Sequence, residues 1–185
     1  MSRVLVPLAE GFEELEAVTI VDLLRRAGIE VVTAGLRPGP VTAARRTVIV
    51  PDTDLDQVLG EAFDMIVLPG GLPGADHLDA DPRVRDLVRR MADSGRYTAA
   101  ICAAPKVLAS AGVLENKRAT SYPGFLDRIQ IPGMEYLQKP VVKDGKVITS
   151  RGPGTAMDFA LELIEVLEGP ARRMEVEEAL IRPAS

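Results

Sequence analysis

The chain has 185 residues, 46 % of them hydrophobic, and carries 22 Lys and Arg against 27 Asp and Glu for a net charge of −5. That is enough apolar material for one core, so a single domain over residues 1–185 is expected; the mild acidity and scattered basic pairs disfavour a nucleic-acid partner. One cysteine forms no internal disulfide, and one Cys with one His is too few soft ligands for a structural zinc site.

Arg3 to Leu8 is a short apolar run, a buried strand. From about Glu13 to Arg26 the residues Ala17, Ile20, Val21 and Leu24 recur at helical spacing, and Gly28 ends that helix. Ile29 to Ala34 is a second strand, Val41 to Val50 a hairpin, Leu55 to Leu59 a short helix, and Phe63 to Leu68 a third strand running into Pro69-Gly70-Gly71. His77 then falls in a polar loop. Asp81-Pro82 opens a helix over Arg83 to Ser94. Tyr97 to Ile101 is a strand, Ala103 to Ala111 a helix, and Arg118 to Tyr122 a strand candidate. Asp144-Gly145 is the turn of a hairpin with arms Val141-Val142 and Val147 to Thr149. Helices over Thr155 to Leu167 and Ala171 to Leu180 close the chain. Short apolar strands alternating with amphipathic helices predict a mostly parallel sheet covered on both faces. No run of about 18 apolar residues spans a membrane. The N-terminus lacks a signal pattern, so a reducing cytoplasm is the expected location.

In such sheets the site lies beyond the carboxyl ends of the strands. Cys102 sits there, between the Tyr97–Ile101 strand and a helix with Pro105 in its first turn. A thiol at a helix N-terminus is favoured as thiolate, the cysteine counterpart of a nucleophile elbow. The competing reading is a small buried core residue. Gly70-Gly71 follows a strand and either offers backbone N–H groups to an oxyanion or is a plain loop. Glu13, Glu14 and Glu16 open a helix, where acids commonly complement the dipole. Glu16 differs, because Phe12, Ile20 and Leu23 place it on an apolar row where burial would raise its pKa. Ser150 to Thr155, with Arg151, either binds an anion or pins the next helix and an interface.

Together these motifs resemble the ThiJ/PfpI superfamily, and within it the DJ-one branch. The matching stretches are AEGFEELE (9–16), VDLLRRAG (21–28), VLPGG (67–71), AAICAAP (99–105) and TSRGPGT (149–155). The resemblance spans nearly the whole chain. It implies a flavodoxin-like three-layer α/β sandwich of the class I glutamine amidotransferase type, and a homodimer. It assigns the nucleophilic, oxidisable cysteine to Cys102 and the protonated carboxylate beside it to Glu16, with backbone donors from Gly70, Gly71 and Ala103. It also implies a short terminal helix over the site, matching Ala171 to Leu180. Relatives often carry a histidine near the cysteine; here Tyr122 stands in that place and Ala103 follows Cys102. That departure counts against peptidase or amidotransferase chemistry, and leaves Tyr122 and Arg151 as supporting groups. The resemblance implies a cofactor-free and metal-free glyoxalase or deglycase acting on methylglyoxal-type 2-oxoaldehydes or their adducts. The alternative is a redox sensor or stress chaperone whose cysteine is oxidised to sulfinic acid without turnover.

Overall fold

The computed structural model describes residues 1–183. The chain runs β1 (Arg3–Leu8), α1 (Glu14–Arg26), β2 (Glu30–Gly35), β3 (Val41–Thr42), β4 (Val48–Ile49), β5 (Thr53–Asp54), α2 (Leu55–Val58), β6 (Met65–Leu68), α3 (Gly74–Ala80), α4 (Pro82–Asp93) and β7 (Tyr97–Ile101). It continues through α5 (Pro105–Ser110), β8 (Arg118–Ala119), β9 (Glu135–Tyr136), β10 (Val141–Asp144), β11 (Val147–Ser150), α6 (Ala156–Glu168) and α7 (Pro170–Ala179).

The central sheet has the order β10-β11-β7-β6-β1-β2-β5. It is parallel except for β10, which pairs antiparallel with β11 through the Gly145 turn. Successive side chains of a strand point to opposite faces, so each central strand feeds two cores. Val4, Val6, Leu8, Met65, Val67 and Ile101 pack against α1 and α6. Leu5, Ile66, Leu68 and Ala100 pack against α2 to α5 on the other face. Both faces are covered, giving the three-layer α/β sandwich expected of a chain whose strands read as continuous apolar runs.

Local chemistry sets the element ends. Gly28 adopts φ +79° just after α1, the left-handed residue that stops the helix. Asp81 caps α4 by accepting the Arg83 N–H at 2.9 Å, and Pro82 occupies the first turn, where no N–H is needed.

Three readings of the sequence are corrected. His77 lies within helix α3 rather than in a loop, and its Nδ1 is 2.9 Å from the carbonyl oxygen of Glu10. The helix after Cys102 starts only at Pro105, because residues 102–104 form a turn. Of Arg118 to Tyr122 only Arg118 and Ala119 form a strand, pairing with β9 away from the main sheet. Among the described residues no helix is long and apolar enough to cross a membrane.

Candidate active site

The switch in strand order falls between β1 and β6, since the chain goes from β1 outward to β2 and returns to β6 on the other side. The loops leaving β1, β6 and β7 converge there, where doubly wound sheets place their ligands.

Cys102 is the first residue after β7 and takes φ +63°. A left-handed conformation costs a non-glycine residue roughly 1–2 kcal/mol. Hydrogen bonds on both sides hold it. The Cys102 N–H donates to the Ser150 carbonyl at 3.0 Å, and the Cys102 carbonyl accepts the Tyr122 N–H at 2.8 Å. The elbow keeps the residue 9 % exposed, at the floor of a cleft of about 290 Å³. Glu13, Ala44, Arg45, Gly71, Leu72, Ala103, Tyr122, Phe125 and Pro153 complete its lining.

Glu16, in the first turn of α1, is fully buried beneath the same cleft. Its Oε2 accepts the Gly70 N–H at 2.8 Å, while Oε1 has no nitrogen or oxygen partner among the described residues. The carboxyl lies beside the Cys102 thiol, close enough for each group to shift the other. Gly70 lies between the two side chains. A Cβ on it would come 2.6 Å from the Cys102 Cβ and 2.8 Å from Glu16 Oε2, so only glycine lets them meet.

Burial dominates the electrostatics. It raises Glu16 to about 7, against the pull of the bonds from Gly70 and Cys102, with the charge of Glu13 adding to the rise. Burial also pushes the Cys102 thiol up to about 12, reinforced by the charge and hydrogen bond of Glu16 and opposed by the Gly71 and Ala103 amides. The two groups titrate as one unit. The first proton leaves near neutrality, and the second is held far into the alkaline range.

The helix-dipole part of the expected thiolate stabilisation is weak. Helix α5 is six residues long and begins beyond the elbow, so little of its dipole reaches the sulfur. Burial beside Glu16 opposes an anionic sulfur, and the Gly71 and Ala103 amides favour it. The donors around the sulfur are also redistributed: Gly71 and Ala103 face it, whereas the Gly70 amide is taken by Glu16.

Two supporting residues part company. Tyr122 lines the cleft, 48 % exposed, with its ring against Gly152. Arg151 does not line it. Its amide donates to the Pro140 carbonyl at 3.3 Å, and its side chain makes no hydrogen bond or ion pair among the described residues. Its neighbour Ser150 acts on the site instead, through the carbonyl that holds the elbow. Helix α7 packs on α6 through Val176, and none of its residues lines the cleft. Arg45 and Ala44, from the hairpin tip, and Phe125 are cleft residues that sequence reading missed. Nothing local in the Arg45-Arg46 stretch shows that this turn folds over the end of α1. Among the described residues no group of three or more His, Cys, Asp or Glu is placed to hold a metal ion.

Comparison with known proteins agrees with this architecture. Residues 2–166 match the model of the DJ-1/PfpI family. Protein dj-1beta of Drosophila melanogaster is 48 % identical over 179 residues, covering 96 % of this chain and 95 % of that protein. Its crystal structure superposes with a TM-score of 0.94 at 46 % identity, covering all of both chains. The oxidised DJ-1 of Toxoplasma gondii gives a TM-score of 0.93 at 36 % identity, again over the whole of both chains. A glutathione-independent glyoxalase of Caenorhabditis elegans, DJR-1.2, is 40 % identical over 94 % of this chain and 90 % of its own length. A family model matched over residues 2–166, with relatives similar over nearly the full length, makes the chain a member of the DJ-1/PfpI family.

Proposed function

We propose that the protein is a cofactor-free glyoxalase that converts small 2-oxoaldehydes to 2-hydroxy acids, with Cys102 as nucleophile and Glu16 as the proton carrier. The supporting observation is the buried Glu16–Cys102 pair, which holds one exchangeable proton near neutrality. The sulfur bonds to the aldehyde carbon as the thiol proton passes to Glu16, and the carbonyl oxygen is protonated to give a hemithioacetal. Glu16, again a carboxylate, removes the hydrogen of that carbon as a proton and returns it to the neighbouring carbonyl carbon, while the hydroxyl proton of the hemithioacetal passes to the oxygen of that neighbouring carbon. The product is a 2-hydroxyacyl thioester. Water adds to it, the C–S bond breaks, and the thiol regains its proton; the net change is addition of one water. The Gly71 and Ala103 amides stabilise the sulfur anion at both ends of the cycle. A cleft of about 290 Å³ suits a three-carbon aldehyde, and adducts of such aldehydes on exposed amines are a second substrate class. The relative named as a glutathione-independent glyoxalase supports the assignment. Wild-type protein is expected to produce lactate from methylglyoxal at a steady rate and Cys102→Ala to produce none; equal rates would overturn the assignment.

A sensor reading competes. The thiol is reachable from the cleft, Glu16 Oε1 is free to bond a sulfinate, and one solved relative is described as oxidised. It wins if turnover is absent while dilute peroxide adds two oxygens to Cys102 alone. Either role suits a reducing compartment, which keeps the thiol available. A homodimer fits the exposed apolar side chains Leu15 and Val18 of α1 and Val48 and Val50 of the hairpin and its exit, of which Val18 and Val50 line one groove.

A further inference from the structure

The left-handed backbone of Cys102 is bracketed by two neighbours: the Ser150 carbonyl, which accepts its N–H at 3.0 Å, and the Tyr122 amide, which donates to its carbonyl at 2.8 Å. The first bond extends the ladder of β7 and β11 past its last pair, Ile101 with Ser150. The brackets belong to different segments, and one buried side chain joins the segments. Thr149 and Ser150 end β11 and are fully buried. Thr149 Oγ1 accepts the Thr120 N–H at 2.9 Å, two residues before Tyr122. Further hydroxyls steady each bracket from behind. Ser150 Oγ lies 2.8 Å from the Pro140 carbonyl and 2.7 Å from Thr155 Oγ1. A carbonyl only accepts, so the one proton of Ser150 goes there and Thr155 is the donor between the two hydroxyls. Thr155 Oγ1 accepts the Gly152 N–H at 3.1 Å and also lies 3.0 Å from the Gly152 carbonyl. On the other side, Ser121 Oγ donates to the Tyr122 carbonyl at 2.9 Å and accepts the Leu126 N–H at 3.1 Å.

We infer that Thr149 is a positioning residue for the reactive cysteine: its hydroxyl oxygen ties the two brackets to one another and so fixes the angle at which the elbow presents the sulfur to the cleft. Thr149 does not touch the reacting atoms, since it is fully buried and lines no part of the cleft. It acts through the backbone. A residue with a Cβ is unfavourable in the left-handed region and stays there only while its surroundings hold it. A buried amide left without an acceptor must move to find one, and the Thr120 amide would take Tyr122, one of the brackets, with it. The inference rests on Cys102 being the nucleophile, as proposed above, and not on the identity of the substrate.

The test compares Thr149→Val, which keeps the shape and loses the acceptor, with Thr149→Ser, which keeps the acceptor. The readouts are the rate of Cys102 alkylation by iodoacetamide at a fixed, mildly alkaline pH and the turnover of methylglyoxal. Thr149→Val should slow alkylation and lower kcat, each about tenfold, with KM unchanged, and Thr149→Ser should stay within about twofold of wild type. Thr155→Val, at a half-buried site, loosens the Ser150 bracket and should act in the same direction; it carries the test if Thr149→Val does not fold. A role in packing alone would make Thr149→Val less resistant to urea and leave alkylation and kcat at wild-type values. Alkylation that is faster, and climbs with dilute urea, would mean that the segment opens and the elbow is not merely tilted. Either result, or rates that Thr149→Ser fails to restore, would overturn the inference. A wild type without turnover of methylglyoxal would end the glyoxalase reading and leave the alkylation comparison intact; a wild-type Cys102 that iodoacetamide does not modify would end both.

Discussion

At the scale of single residues, the chemistry follows from where a proton is held. Glu16 is an acid placed where water cannot solvate its charge, and its ionised form is costly to the fold. Its pKa of about 7 in the folded chain lies above the ordinary value of 4.5. The folded state therefore binds the proton more tightly, and stability is full below about pH 4.5 and falls as pH rises towards 7. The shift corresponds to about 3 kcal/mol at one unit per 1.36 kcal/mol. Glu16→Gln keeps an acceptor for the Gly70 amide and removes the buried charge. It should be more stable than wild type in urea at pH 8, by up to ~3 kcal/mol, with the gap closing below pH 4.5. A gap that is independent of pH would show that Glu16 is not the group responsible.

The sequence made Cys102 and Glu16 legible for different reasons. A strand of small and β-branched residues, a run of alanines and Pro105 mark the elbow, and the apolar neighbours of Glu16 mark its burial. The destination of the Gly70 amide was not legible, because the order Pro69-Gly70-Gly71 does not say which acceptor the loop meets. The bounds of the helix after Cys102 were also not legible, since a single proline does not reveal how short α5 is or that it starts past the turn.

At the scale of elements, the site depends on how closely the β6–α3 loop packs between α1 and the elbow. Gly70→Ala puts a Cβ where Cys102 and Glu16 already stand, 2.6 Å from the Cys102 Cβ. The neighbour is a short side chain on a constrained backbone and has nowhere to go. Gly70→Ala should therefore cost roughly 1–3 kcal/mol of stability by overpacking, and should abolish the titration step of Cys102 alkylation near neutrality by separating the pair. Folded protein with wild-type alkylation kinetics would show that the close approach is not needed.

Helix α3 escaped the sequence reading because Gly70, Gly71 and Pro73 precede it, Gly74 opens it, and only Gly74, Ala75 and Leu78 are buried, too few for a periodic stripe. The long helices α1, α4 and α6 were legible because their apolar rows run over several turns and end at glycine or begin at Asp-Pro. The hairpin of β3 and β4 was legible as an element, but its place over the cleft was not. That place is set by hydrogen bonds to Glu10, Phe12 and Glu14 from residues about thirty positions away.

At the scale of the whole molecule, the two-faced sheet explains why one end carries the chemistry. The strands bury both faces, so polar groups gather at their carboxyl ends, where the parallel arrangement brings the β1, β6 and β7 loops together. A mostly parallel sheet covered on both faces was legible from the alternation of strands and helices, and the flavodoxin-like sandwich came from the family resemblance. The surface is less evenly polar than the core is apolar: Leu15, Val18, Val48 and Val50 lie exposed on the outer side of α1 and the hairpin. If a second copy covers them, Val50→Glu, at a side chain 75 % exposed in the monomer, should reduce the sedimenting mass from two chains to one without lowering the stability of the monomer. A wild-type chain that sediments as a monomer at micromolar concentration would contradict the dimer. The same patch adjoins the anchors of Arg45, so a dimer formed on it would share one element with the cleft.

The most direct test of the shared proton is the rate of Cys102 alkylation by iodoacetamide from pH 5 to 10, in wild type and in Glu16→Gln. Wild type should gain reactivity through a step near pH 7, as the pair loses its first proton and Glu16 becomes able to take the thiol's. Glu16→Gln should lack that step and react only as the solution becomes strongly alkaline. The same step in both proteins would mean that the sulfur ionises without the glutamate, and the mechanism built on the pair would be wrong.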